Sequence, residues 1–301
     1  MNTVKWEGVY SALLTPFDDT DKIDFELFEK NMQSQVEVGI NGLVLGGSLG
    51  EASTLCAEEK NDLVICAKNF AQKRLPVILN IAEQSTRDAI KAVQNAERNG
   101  ADGLMVLPPM RYKADEAETL EYFRTIATNT SLPIMLYNNP HDYKIEITMS
   151  MFEQLGKIPS VQAVKESTRD VSNVTRLKNR FNDRFKILCG VDTLALEELV
   201  LGADGWVGGL VDAFPAETVA IYRLLKTGKY QEALTIYRWF LPLLELDIHP
   251  KFAQYIKMAA TQTGLGSEYV RAPRLKVEGA ERERILSVIK NAIAARPILS
   301  S

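Results

Sequence analysis

The chain has 301 residues, 46% of them apolar and 25% charged, with a formal charge of −4 and a pI near 5.5. This is ordinary globular composition with core enough for one large domain, and the acidic balance gives no electrostatic footprint for nucleic acid. No apolar run approaches the ~18 residues of a membrane span, and the opening MNTVKWEGVYSALLTPF, interrupted at Glu7 and Gly8, lacks a signal-peptide layout. Cys56, Cys66 and Cys189 are odd in number and lack metal-ligand spacing, so reduced thiols and a cytoplasmic location are expected. His141 and His249 cannot alone build a typical zinc site, so no metal is expected.

Short apolar runs alternate with amphipathic stretches along the chain. The runs cover 9–17, 42–47, 76–82, 103–109, 133–139, 161–167, 185–191 and 204–210, and their length and β-branched content predict eight buried strands. Helical patterns fill the gaps at 25–39, 57–72, 86–100, 116–129, 149–157, 171–181 and 194–202. Several start beside Asp, Ser or Thr and finish at Gly, as caps require. Strand starts about 20–35 residues apart fit a strand, a crossover helix and two loops. Eight such units predict an α/β protein, a closed (β/α)8 TIM barrel over residues 1–227. Helical patterns at 230–246, 251–264 and 281–295 predict a C-terminal helical extension over 228–301, packed on the barrel or used in assembly. An open doubly wound sheet is the alternative, but no GxGxxG follows the first strand.

In such a barrel the chemistry sits where the strands end. Strand 6 ends in Lys165, an ammonium at the tip of an apolar run. Burial there pushes the amine toward its neutral form, which is nucleophilic and condenses with a ketone. The same lysine could instead snorkel to solvent or pair with Glu166. Strand 5 ends at Tyr137, a phenol able to relay protons or merely to pack its ring. Strand 2 ends in Gly46-Gly47-Ser48-Leu49-Gly50-Glu51. Its glycines let a ligand approach the backbone, and if a helix begins just after it, the Ser48 and Leu49 N–H groups can hold a carboxylate. The Ser48 hydroxyl can join a proton chain with Tyr137. Gly208 ends strand 8 and is a further binding candidate, while Asp192 and Trp206 either shape the mouth or belong to the barrel core.

Taken together, these segments resemble the dihydrodipicolinate synthase / N-acetylneuraminate lyase family of Schiff-base, class I aldolase-type barrels. The resemblance runs from about Trp6 to at least Phe214. It includes Thr15-Pro16-Phe17, the G-[ST]-x-G-E motif at Gly47–Glu51, the Y-N-x-P motif at Tyr137–Pro140 and the K-E-[SA] motif at Lys165–Ser167. It implies that Lys165 forms the Schiff base, Tyr137 relays protons, and Ser48–Leu49 grips a 2-oxo acid carboxylate. It also implies a covalent lysine intermediate without a cofactor, a small-molecule substrate and a homo-oligomer, a dimer or tetramer.

The departures from the synthase pattern bear on substrate. Leu49 stands where the synthase carries a second threonine. His141-Asp142-Tyr143 follows the Y-N-x-P motif where the synthase has an arginine for its second substrate. Pro109-Met110-Arg111-Tyr112 replaces the synthase's tyrosine pair, one member of which reaches across a subunit interface. Several segments, among them 104–124, 190–215 and 271–275, are most similar to a branch that deaminates Δ1-pyrroline-4-hydroxy-2-carboxylate to 2-oxoglutarate semialdehyde and ammonia; related branches dehydrate 2-oxo-3-deoxy sugar acids. Arg111, Tyr112 and His141 are then candidates to contact the 4-hydroxyl, with His141 as acid for its departure. A pyruvate-dependent aldolase or synthase is the alternative, and a non-catalytic binding barrel a third. The stretch from Arg271 to Arg274 is expected to form a structural clamp or an interface element rather than a phosphate site.

Overall fold

The computed structural model describes residues 4–72, 74–109 and 112–299. Eight parallel strands, β1 (Gly8–Ala12), β2 (Gly42–Leu45), β3 (Val77–Ile81), β4 (Gly103–Val106), β5 (Ile134–Asn138), β6 (Val161–Glu166), β7 (Lys186–Cys189) and β8 (Gly205–Gly208), close a barrel in sequence order. Closure is made by β1 against β8, Gly8 opposite Gly205 through Ser11 opposite Gly208, which excludes the open sheet. Each strand falls inside a run anticipated from the sequence, except that β1 starts one residue early, at Gly8. They are nearly all buried because helices cover the outer face while side chains fill the interior.

The surrounding helices are α1 (Phe25–Val38), α2 (Ala57–Ala71), α3 (Thr86–Arg98), α4 (Glu116–Thr128), α5 (Pro140–Tyr143), α6 (Met149–Leu155), α7 (Ser172–Phe181), α8 (Ala195–Val200) and α9 (Pro215–Lys226). Cap chemistry sets many of their starts: the Asp24, Ser85, Asp115 and Thr148 side chains accept from backbone N–H groups of their first turns. Two helices escaped the sequence patterns. α9 begins at Pro215, and α5 is one turn opened by an Asn139 cap and Pro140, too short for periodicity to register. Three further helices, α10 (Tyr230–Leu244), α11 (Phe252–Gln262) and α12 (Gly279–Ala294), follow. Among the described residues no helix is long and apolar enough to cross a membrane.

Strand register and alternation place the chemistry. Lys165 on β6 lies beside Tyr137 on β5 and Leu188 on β7. Successive strand residues face opposite sides, so Lys165 and Glu166 cannot share an environment. The Glu166 carboxylate accepts from Thr168 N at 2.7 Å and Asn173 Nδ2 at 2.8 Å. The Lys165–Glu166 ion pair is thereby ruled out.

A buried latch joins the turn after β2 to the C-terminal helices. Glu51, at φ 59, sends its carboxylate to Lys257 Nζ on α11 at 2.5 Å, and both side chains are sealed from water. Arg271 N donates to the same carboxylate at 3.2 Å, and Lys257 Nζ also donates to Tyr269 O at 2.7 Å. The Arg271 guanidinium reaches Glu59 and the carbonyls of Asp21 and Thr54. The expected clamp is thus built from Arg271, with Arg274 Nη1 3.5 Å from Glu51. Removing one member of a buried pair strands the other charge. Lys257→Met should therefore cost about 3–5 kcal/mol, a Tm loss on the order of 5–8 °C by circular dichroism for a chain of this size. The double variant with Glu51→Gln should recover part of it; an unchanged Tm in Lys257→Met would show that the latch contributes nothing.

Candidate active site

The cavity at the C-terminal mouth of the barrel has an apolar floor of Ala12, Val44, Met105 and Val207. Above it stand Lys165, Tyr137, Ser48, Asn139, Asp142, Ser167 and Asp247. Lys165 is 7% exposed, and its Nζ lies 4.5 Å from the centroid of the Tyr137 ring. Burial drives its pKa down from the usual lysine value, and the charges of Asp247, Tyr143 and Asp192 pull it partly back. The amine therefore reaches its neutral, nucleophilic form at a lower pH than a surface lysine.

Tyr137 is also buried, which raises its phenol to about 12 and keeps it protonated at neutral pH. Its oxygen accepts from Asn139 Nδ2 at 3.2 Å, which leaves its own proton free to donate into the cavity. The Ser48 hydroxyl does not pair with Tyr137 as anticipated. It shares a 2.5 Å hydrogen bond with Tyr143 Oη, whose ring stands edge-on to that of Tyr137 with centroids 5.5 Å apart. Short helix α5 causes this, by turning the chain back after Pro140 and bringing Tyr143 over the mouth.

The turn after β2 differs from expectation too. No α-helix starts behind it. Ala52 N and Glu51 N instead close tight bonds to Gly47 O and Ser48 O, a 3-10 turn follows at Ala52–Thr54, and α2 begins only at Ala57. The Ser48 and Leu49 N–H groups have no acceptor among the described residues, and Gly47, Ser48 and Leu49 all line the cavity. The cavity is thus lined here by a turn of free amides rather than by a helix N-terminus.

Other expected residues lie elsewhere. His141 is exposed on α5 and does not line the cavity. Tyr112 is 58% exposed and also outside it, while Arg111 lies outside the described residues. Gly208 is displaced by its neighbour: Gly209 lines the cavity, whereas Gly208 packs toward Trp206 and Asp192. Asp192 and Trp206 belong to the core. The Asp192 carboxylate accepts from Trp206 Nε1 at 2.9 Å and from the N–H groups of Gly209 and Leu210, fastening the end of β7 to that of β8.

Sequence reasoning did not place Tyr143, Asn139, Ser167, Arg169 or Asp247 in the site. A signal for Tyr143 was present in Asn139-Pro140, a cap followed by a first-turn proline. Nothing local marks Asp247, because its position depends on how α10 packs on the barrel. Among the described residues no group of His, Cys, Asp and Glu is arranged to hold a metal.

Comparison with known proteins agrees with this geometry. The model of the dihydrodipicolinate synthetase family matches residues 5–292. The 4-hydroxy-tetrahydrodipicolinate synthase of Exiguobacterium sibiricum is 32% identical over 289 residues, covering 95% of this chain and 98% of that protein. The structure of the synthase from Methylacidiphilum fumariolicum superposes with a TM-score of 0.89 at 30% identity, covering 96% of this chain and 97% of the other. That of the Acinetobacter baumannii dihydrodipicolinate synthase, solved complexed with pyruvate, has a TM-score of 0.91 at 27% identity over 96% and 99% of the two chains. Enzymes of this family are class I aldolase-type lyases that work through a lysine Schiff base without metal or cofactor. With a closed barrel, a buried strand-tip lysine and a family match along nearly its whole length, the chain belongs to the dihydrodipicolinate synthetase family.

Proposed function

We propose that Lys165 is the Schiff-base lysine of a lyase acting on a small 2-oxo acid or its cyclic imine. The observation that carries this reading is the buried amine beside the Tyr137 phenol, above a turn of unpartnered amides. The substrate carboxylate lies against the Ser48 and Leu49 N–H groups. Neutral Lys165 attacks C2. Tyr137 gives its proton to the group displaced from C2, and its phenolate then removes a proton from C3, made acidic by the iminium. The high pKa of the phenol suits both halves, since the base it leaves is strong. The Ser48–Tyr143 pair stands ready to donate a shared proton at the same end. Gly190 holds the geometry open: a Cβ there would lie 2.6 Å from Lys165 Cγ and 2.7 Å from Lys165 Cε, so only glycine leaves room for the lysine stem.

Two reactions follow from this common start. The names of the relatives support condensation of pyruvate with an aldehyde, as in 4-hydroxy-tetrahydrodipicolinate synthase. Arg169, an exposed cation at the cavity rim, is a place for a second carboxylate under that reading. The side chains nearest the distal part of the cavity favour elimination. Asp142 and Asp247 line it, and a carboxylate beside Asp142 opposes a dicarboxylic adduct but accommodates a hydroxyl or an amine. At about 30% identity the barrel and its strand-tip chemistry are shared, while substrate is decided by a few loop residues. The reading taken here is therefore deamination of Δ1-pyrroline-4-hydroxy-2-carboxylate, with the synthase reaction second. A cytoplasmic homo-oligomer accompanies it, supported by the family resemblance and the free thiols.

The first test offers each substrate to the pure enzyme. Ammonia released from the hydroxypyrroline carboxylate supports deamination, and turnover of pyruvate with aspartate semialdehyde transfers the assignment to the synthase. Borohydride reduction with a 2-oxo acid should leave a stable adduct on Lys165, and Lys165→Met should fold normally yet lose turnover by several orders of magnitude. Gly190→Ala should fold but displace the amine, lowering kcat by about 10²-fold or more. A normal kcat there would mean that the lysine stem lies elsewhere.

Acid–base behaviour has a defined sign. The nucleophile is the deprotonated amine, so imine formation followed by borohydride trapping should rise with pH through the depressed pKa and level off above it. Between that depressed value and the ordinary 10.5, the unfolded chain binds more protons at this lysine than the native one, so its contribution to stability grows with pH across that window. Lys165→Met should abolish both trends; a trapping rate that goes on rising up to the ordinary 10.5, as for a surface lysine, contradicts the burial effect.

A further inference from the structure

The elimination proposed above needs a proton at the far end of the substrate, and His141, the obvious candidate from the sequence, is outside the cavity. Asp247 occupies the required place. It follows α10 on the connection to α11, so it reaches the cavity from the C-terminal helices rather than from a strand tip. Ile248 of the same connection and Phe252, the first residue of α11, also line the cavity. Its carboxyl comes in over Gly209: a Cβ there would stand 3.0 Å from Asp247 Oδ1, so a bare backbone makes room for it. No side chain among the described residues donates a hydrogen bond to that carboxyl, and no ion pair neutralises it.

The surroundings keep a proton on it. Burial, then the charge of Asp192 behind the β8 turn, raises the Asp247 carboxyl well above the usual carboxylate range, while Lys165 pulls it back and Asp142 on α5 pushes it further up. A carboxylic acid that faces a substrate cavity, held by the backbone of Asp192 and by no side chain among the described residues, and whose surroundings favour its protonated form, is suited to donate to a leaving group. The Schiff-base lysine and Tyr137 serve C2 and C3 from the strand tips, while Asp247 enters the cavity from the C-terminal helices.

We propose that Asp247, delivered by the connection between α10 and α11 over Gly209, is the acid that protonates the hydroxyl leaving C4 of the substrate. The proposal rests on the deaminase reading. In the step, the pair from the C3–H bond has already formed the enamine, with its proton on Tyr137. The enamine nitrogen returns its pair, C3=C4 forms, and the C4–O bond breaks. Asp247 gives its proton to that oxygen, which departs as water, and the iminium and a carboxylate remain. The carboxylate regains a proton when Tyr137 discharges the one it took from C3 into the cavity, so no outside oxidant or reductant takes part.

Asp247→Asn keeps the shape and removes the acid. With hydroxypyrroline carboxylate, it should still give the borohydride-trapped Lys165 adduct and still exchange the C3 proton for deuterium from solvent. Ammonia release should fall by about 10²–10⁴-fold in kcat, with KM little changed. Asp247→Glu should recover part of the rate. Wild-type ammonia release from Asp247→Asn overturns the proposal. So does joint loss of adduct, exchange and release, which would mark a residue that merely positions the wall. If the wild-type enzyme forms an adduct with pyruvate but releases no ammonia from the imine, the deaminase reading itself fails and the acid role falls with it. That outcome is told apart because it needs no variant.

Discussion

An amine is held where water has been excluded, and the rest of the site is organised by that cost. At the tip of β6 an ammonium would lose its hydration without gaining an ion-pair partner, so Lys165 is biased toward the neutral form that reacts with a carbonyl. The carboxyls that face it feel the same dry surroundings. Asp192 and Asp247 are both pushed upward, chiefly by burial. Burial thus biases the amine toward its neutral form, keeps the phenol undissociated and biases these carboxyls toward their acid forms. Charge that enters such a cavity meets surroundings in which electrostatic interactions are stronger than in water.

Two tiers of structure share the work. The strand tips hold Lys165 and Tyr137, because β-sheet register fixes which residues are neighbours: Tyr137 stands beside Lys165 as a direct result of strand pairing. The loops and the C-terminal helices supply other walls of the cavity. Asp142 and Tyr143 ride on a single helical turn, and Asp247 on a connection between helices. The Glu51–Lys257 latch joins these tiers, since Glu51 ends the turn whose amides face the cavity and Lys257 sits on the helix that follows Asp247. Movement of the helices is therefore felt at the turn that lines the cavity.

Much was legible in the amino-acid sequence, because it is written in local terms. Eight apolar runs separated by amphipathic segments specify a barrel through periodicity and spacing alone, and the end of the sixth run puts Lys165 at the mouth. The motifs around Ser48, Tyr137 and Lys165 identify Schiff-base chemistry and the family, and neither periodicity nor motif needs knowledge of the third dimension. Only the tertiary structure decided the rest, since contacts between residues far apart in sequence leave no local trace. Ser48 meets Tyr143 rather than Tyr137, 95 positions along the chain. His141 and Gly208 yield their expected places to Asp247 and Gly209, and Glu51 finds its counter-ion 206 residues away. A side chain's strand and level follow from pattern, but which loop closes over it is settled by how the whole chain packs.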